Sequence, residues 1–229
     1  MTMYRSLPTL NHFLRIHSFY PLLLSTIMAC AFLTFRVIYS GSYNYANLLW
    51  NLFLAWLPYI FAVVAASLYG VNPRRWWLIF LFIFLWLVFF PNAPYIVTDF
   101  YYLDPRPPVP LWFDISLIAI FAITGCFLAI ASLRSIHLMI DKSLGRVLGW
   151  LFALFALGLA SLGVYLGRFG RYNSWDILLE PKSLVKEIAS NLLNPLDNLG
   201  FVGFTIMFTS ILLVFYLMFV TTSTPNGKI

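Results

Sequence analysis

From Phe19 onward the chain is a succession of long apolar stretches joined by short polar ones. Several of the stretches exceed the roughly 18 residues that mark a membrane span, and that length selects membrane helices. Composition agrees. Of 229 residues, 62% are hydrophobic and only 10% charged, and the mean hydropathy is +0.87. A soluble domain carries about 25% charged residues. Aromatic residues make up 19% of the chain, and many Trp and Tyr stand near the ends of the apolar runs, where interfacial belts form. The net charge of +6 is dispersed, so it reflects topology and contact with anionic membrane lipid, with no nucleic acid as partner. Cys30 and Cys126 both fall inside apolar runs and read as small packing residues rather than a disulfide.

The predicted fold is all-α: a polytopic membrane protein, one compact bundle of six transmembrane helices in a single integral membrane domain. The spans are expected at about residues 19–39, 46–69, 75–91, 111–139, 146–166 and 201–220. The first run is long, lacks a small-residue cleavage site and precedes further spans, so it is expected to be a retained anchor. The second contains Pro58 as a kink, and Asn47 and Asn51 share one face. Pro73 sits at the first helical position of the third. That run stops abruptly at Pro91-Asn92-Ala93-Pro94-Tyr95-Ile96-Val97-Thr98-Asp99, because two prolines three residues apart remove backbone donors and no regular helix passes through unaltered. A proline-stiffened loop, 104–110, leads to Asp114, a carboxylate inside the first turns of the fourth span. In the fifth, Gly145, Gly149, Ala153, Ala156, Ala160, Gly163 and Gly167 form a stripe of small residues, which predicts close helix approach and a central position. The polar segment 167–199 carries the pattern of a short surface helix.

Six spans place the ends of spans three and five and the start of span four on one membrane face. The predicted site is therefore the set Asn92, Tyr95, Asp99, Asp114, Arg168, Arg171, Asn173, Trp175 and Asp176. Two explanations stand. One is a structural network in which Arg forks grip Asp bidentately. The other is a polar pocket, with Asn92, Tyr95, Arg168, Arg171, Asn173 and Trp175 binding ligand and Asp99, Asp114 and Asp176 as candidate acid/base groups. Those three carboxylates also have the oxygen chemistry of a hard divalent cation site, although no cofactor is expected, and no zinc-ligand spacing, nucleophilic triad, P-loop or dinucleotide fingerprint occurs. Lys and Arg are somewhat more numerous on the side of the termini, which predicts cytoplasmic termini.

At residues 47–58, 91–99, 110–114 and 167–176, the last reading Gly-Arg-Phe-Gly-Arg-Tyr-Asn-Ser-Trp-Asp, the chain resembles the domain-of-unknown-function family 1361. That resemblance implies a multi-pass protein of the bacterial inner membrane and carries no assigned activity or catalytic residue. The expected function is binding or modification of an anionic lipid or lipid-linked substrate at the polar face. The rivals are a small-solute transporter and an assembly factor that holds partner helices. Whether the site is enzymatic stays open at this point.

Overall fold

The computed structural model describes residues 18–72, 74–172, 182, 186, 188–191 and 198–223. Among them are six helical spans, each apolar and long enough to cross a membrane, the third of them reaching from Trp76 to Tyr102 through more than one element. Helix α1 is Phe19–Ser40, α2 is Asn47–Val71, α3 is Trp76–Phe89, α4 is Leu111–Leu144, α5 is Arg146–Arg168 and α6 is Leu199–Ser223. The expected all-helical six-span bundle is what the chain forms. The two elements between α3 and α4 are the one-turn helix Asn92–Tyr95 and the 3-10 helix Ile96–Tyr102. Of the predicted surface helix, only Lys182, Lys186 and 188–191 fall among the described residues, and all are helical.

The double-proline segment distorts the third span without turning it back. Pro94 has no N–H to offer the Phe90 carbonyl four residues earlier, and that carbonyl accepts the Ala93 N–H instead, at 3.3 Å. The Tyr95 N–H reaches the Pro91 carbonyl at 3.1 Å, and the chain tightens into 3-10 turns from Ile96. The span thus runs from Trp76 to Tyr102, past the point where the apolar run ends.

The centre of the bundle is α4, not α5. In an 18-residue apolar window of each helix, 61% of the α4 residues are buried, against 39% in α5. The small-residue stripe misled because it marks close approach and not centrality. Ala153, Ala156 and Ala160 are buried, while Val147, Leu151 and Phe155 on the same helix are exposed. Helix α5 therefore packs its small face inward, between α4 and α6, and turns a large apolar face outward. With 34 residues α4 is about 51 Å long, well beyond the roughly 30 Å hydrocarbon core. Its ends reach past the hydrocarbon even when tilted. Polar side chains stitch neighbours to it: Ser25 of α1 to Thr124, the Trp86 indole N–H of α3 to the Ser132 hydroxyl, and Tyr216 of α6 to His137. In lipid such bonds add to van der Waals packing, because apolar burial alone drives no association there.

Two close approaches seat the double-proline segment. The Ala93 carbonyl oxygen lies where a Cβ on Gly125 of α4 would be, at 2.3 Å, and the Pro91 ring lies 2.6 Å from a Cβ on Gly163 of α5. Only residues without side chains fit at both positions. Gly125→Ala is expected to lower stability by about 1–3 kcal/mol through overpacking. Gly158→Ala, whose added Cβ meets nothing within 4 Å, is expected to leave stability unchanged or raise it, since alanine is the better helix former. Thermal unfolding of both variants in detergent checks the pair.

Candidate functional site

Of the polar groups that sequence placed on one face, the charged ones with printed partners fall in two clusters, built on Arg168 and on Asp114. The first is built on Arg168, the last residue of α5. Its Nε donates to the Thr98 hydroxyl at 2.8 Å and its Nη2 to Asp99 Oδ1 at 2.6 Å. The Tyr95 ring covers the guanidinium at 4.5 Å and the Tyr102 ring at 4.8 Å. The second Asp99 oxygen accepts from the Asn51 amide at 2.8 Å, so this carboxylate ties α5, the 3-10 helix and α2 together. Thr98 in turn donates to the Tyr95 carbonyl, which fixes its hydroxyl to receive Arg168. The local reason for this convergence is the 3-10 winding. With about three residues per turn, Tyr95 and Thr98 line up on one face and Asp99 and Tyr102 on the face beside it.

The second cluster is built on Asp114. Arg36, near the end of α1, grips it bidentately, Nε to Oδ1 at 2.6 Å and Nη2 to Oδ2 at 2.9 Å, with both side chains fully buried. The Arg36 guanidinium lies 4.7 Å from the Tyr45 ring centroid, and Arg106 from the proline-rich loop lies at the same distance from that ring. The expectation that Asp114 joins Asp99 and Arg168 in one constellation is therefore corrected: its partner is Arg36. In the sequence, Arg36 enters only the balance of Lys and Arg between the two membrane sides. A lone cation inside an apolar run is as costly as a lone carboxylate, and the two at matching depth on one face were the available signal.

Beside the first cluster lies a cavity of about 540 Å³ between α2, α3 and α5. That is within the range of about 300–1,000 Å³ that takes a small ligand. Its polar end is made by Asn51, Asn92, Tyr95, Tyr102, Arg168 and Arg171, and its apolar wall by Leu54, Leu87, Val88, Leu159 and Leu162, and Tyr172 and Ile188 also line it. Of the predicted ligand residues, Asn92, Tyr95, Arg168 and Arg171 line the cavity. Asn173, Trp175 and Asp176 lie outside the described residues. Asp99 is 3% exposed and sits behind Arg168, with both oxygens engaged. Among the described lining residues no Asp, Glu, His or Cys occurs, and among the described residues no three such groups converge as a metal site.

The two arginines of the cavity differ in standing. Arg168 has its charge matched by Asp99 and its faces covered by rings. Arg171 is exposed, has left-handed backbone with φ of 59°, and makes no ion pair among the described residues. Tyr102 and Tyr172 were missed as site residues, and Thr98, a polar group of the double-proline motif, stood outside the predicted set; the 3-10 turn that brings Thr98 and Tyr102 around is not visible in hydropathy.

Breaking the buried Arg36–Asp114 pair from one side strands a charge. Arg36→Ala and Asp114→Ala are each expected to cost about 3–5 kcal/mol, whereas the double change Arg36→Met/Asp114→Leu is expected to recover most of the loss. Thermal unfolding of the three variants measures it.

The family model described as a protein of unknown function (DUF1361) matches residues 50–215. No curated protein and no solved structure matches the chain. The matched region contains the Asp99–Arg168 cluster, its cavity and Asp114, while Arg36 lies before it.

Proposed function

The chain belongs to the DUF1361 family of proteins of unknown function, and from that premise we propose that its α2/α3/α5 cavity binds an anionic amphiphile, either a membrane lipid or a lipid-linked substrate. The observation that carries this is the polarity gradient of one cavity. Arg171, Asn51 and Asn92 stand at its polar end, and a wall of leucines runs from there along the membrane-spanning parts of α3 and α5. An anionic head group suits the first and a hydrocarbon chain the second. A soluble anion would leave the leucine wall wetted, so the ligand comes from the bilayer.

Arg168 serves this site as a fixed support and Arg171 as the contacting cation. A guanidinium already forked onto Asp99 and Thr98 and covered by two tyrosines has little left to reorganise. Arg171 offers an uncompensated charge among the described residues. The reading is binding rather than a chemical step, since Asp99 and Asp114, the candidate acid/base groups among the described residues, are held in ion pairs and are absent from the described lining. By the distribution of Lys and Arg, the protein would sit in the bacterial plasma membrane with cytoplasmic termini, and the cavity would open on the outer face.

Native mass spectrometry of the detergent-purified protein beside Arg171→Asn tests the reading. Asn keeps the left-handed backbone accessible while removing the guanidinium. As a change at an exposed position it is expected to shift stability by no more than about 0.5 kcal/mol. The wild type is expected to carry a lipid or lipid-linked mass, and the variant to lose about ten- to a hundredfold in affinity, matching a lost charge-assisted hydrogen bond of about 1.5–3 kcal/mol. A wild type with no bound mass, or equal occupancy in both proteins, would overturn it.

A further inference from the structure

At the end of the bundle opposite the cavity, α4, α5 and α6 enclose a second polar cluster that owes nothing to the first. His137 of α4 is 1% exposed, and its Nδ1 is hydrogen-bonded to the hydroxyl of Tyr216 on α6, itself fully buried. The other ring nitrogen, Nε2, lies 3.3 Å from Asp141 Oδ1, one turn further along α4, yet neither atom has an aligned hydrogen bond among the described residues. The Arg134 guanidinium, one turn earlier, faces the same Tyr216 hydroxyl. From α5 the Trp150 indole packs edge-on against the imidazole, with ring centroids 4.8 Å apart.

The backbone of α5 is cut to fit this group. A Cβ on Gly149 would lie 1.8 Å from Asp141 Oδ1 and 2.9 Å from the His137 ring, so the carboxylate occupies the space that glycine leaves. The Asp141 side chain is 27% exposed, which gives the otherwise closed cluster one edge in contact with solvent. Charged or titratable groups facing the imidazole among the described residues are Arg134 and Asp141 from α4 and Tyr216 from α6, while α5 brings only Gly149 and Trp150.

We propose that His137 is a proton-binding site whose occupancy sets the bond between α4 and α6. In the neutral ring, Nε2–H faces the Asp141 carboxylate, and Nδ1 accepts the Tyr216 O–H. The opposite tautomer would set a bare Nε2 lone pair against a carboxylate oxygen, so it is disfavoured. A proton taken from solvent adds to Nδ1, and that nitrogen changes from acceptor to donor. The Tyr216 O–H then loses its acceptor inside a closed site. The phenol oxygen is left between two cations, the new imidazolium and the Arg134 guanidinium. The Asp141 carboxylate gains a full counter-ion in exchange. Nδ1–H now donates to the phenol oxygen, so protonation reverses the bond between helices, leaves the Tyr216 O–H without an acceptor and loosens its hold on α4, in exchange for an ion pair within α4. The step is a proton transfer with no change of oxidation state.

The chain has three histidines, and the other two, His12 and His17, lie outside the described residues. In the variant His12→Gln/His17→Gln, His137 is the sole histidine and its cluster is untouched. Histidine ring 15N spectra of that protein in nanodiscs, recorded from about pH 8 to about pH 5, the range in which imidazoles titrate, report the site directly. The expected result is a change from one bare and one protonated nitrogen to two protonated nitrogens. Amide hydrogen exchange in the Tyr216 region of α6, corrected for intrinsic rates, is expected to speed up across the same transition. In Tyr216→Phe it is expected to be fast at both ends of the range. A ring signal that never changes overturns the proton site. A ring that protonates while α6 stays equally protected overturns its control of the helix contact.

Discussion

A charge taken out of water inside a bundle must meet an opposite charge and use up its hydrogen-bonding capacity, or the segment that carries it does not stay buried. The Asp99 carboxylate meets that condition with Arg168 on one oxygen and Asn51 on the other, and the rest of the cavity face depends on it. Through this single group the irregular end of the third span is fixed to α2 and α5. Prolines at 91 and 94 free backbone groups that lipid cannot satisfy. The irregular segment is tolerable because it is inside the protein, with the Ala93 carbonyl against Gly125 and the Pro91 ring against Gly163. Side-chain clamp and backbone seat work together: the glycines admit the segment, and Arg168 holds it.

The same logic explains why α4 is central. A helix that carries Asp114 at one end and His137 with Asp141 at the other needs partners at both, and it finds them in α1, α5 and α6. Between the ends, Thr124 and Ser132 each meet a neighbouring helix with a hydroxyl. Helix α4 is thus specified along its whole length by directional contacts, while the lipid-facing helices are specified on one side only. Apolar surface such as Phe80 and Ile206 stays exposed in the protein because lipid, not water, is its solvent.

Sequence made the class, the six spans and the shared face of the polar motifs legible, because each follows from span length and parity alone. Pairing was not legible. Parity places Asp99, Asp114, Arg36 and Arg168 on one face but says nothing of their separation within it, and the interhelical arrangement sends Asp114 to Arg36. Helix order in depth was also hidden: the small-residue stripe of α5 is real, yet it reports how closely a neighbour approaches and not how many neighbours there are. The His137 cluster escaped for a different reason. Histidine and aspartate four apart on a helix, with a tyrosine far along the chain, look ordinary until Gly149 is seen to vacate the volume that the carboxylate fills.

The two arginines at the cavity show how one structure can be both a structural network and a binding site, the alternatives left open by sequence. A guanidinium held at Nε and Nη2 and stacked between aromatic rings is an expensive thing to move, so Arg168 keeps the wall of the cavity in place whether or not a ligand is there. Three residues on, Arg171 has left the helix through left-handed backbone and lines the cavity as an exposed cation. Helix geometry would have placed a residue three positions on along the same face of α5, one turn further along. Ending the helix at Arg168 puts Arg171 outside it, on backbone that turns through positive φ. The division of labour between a paired, buried cation and an exposed one thus follows from where α5 stops, and the tight packing of Gly167 against the Tyr95 ring shows that its last turn is held down at that point.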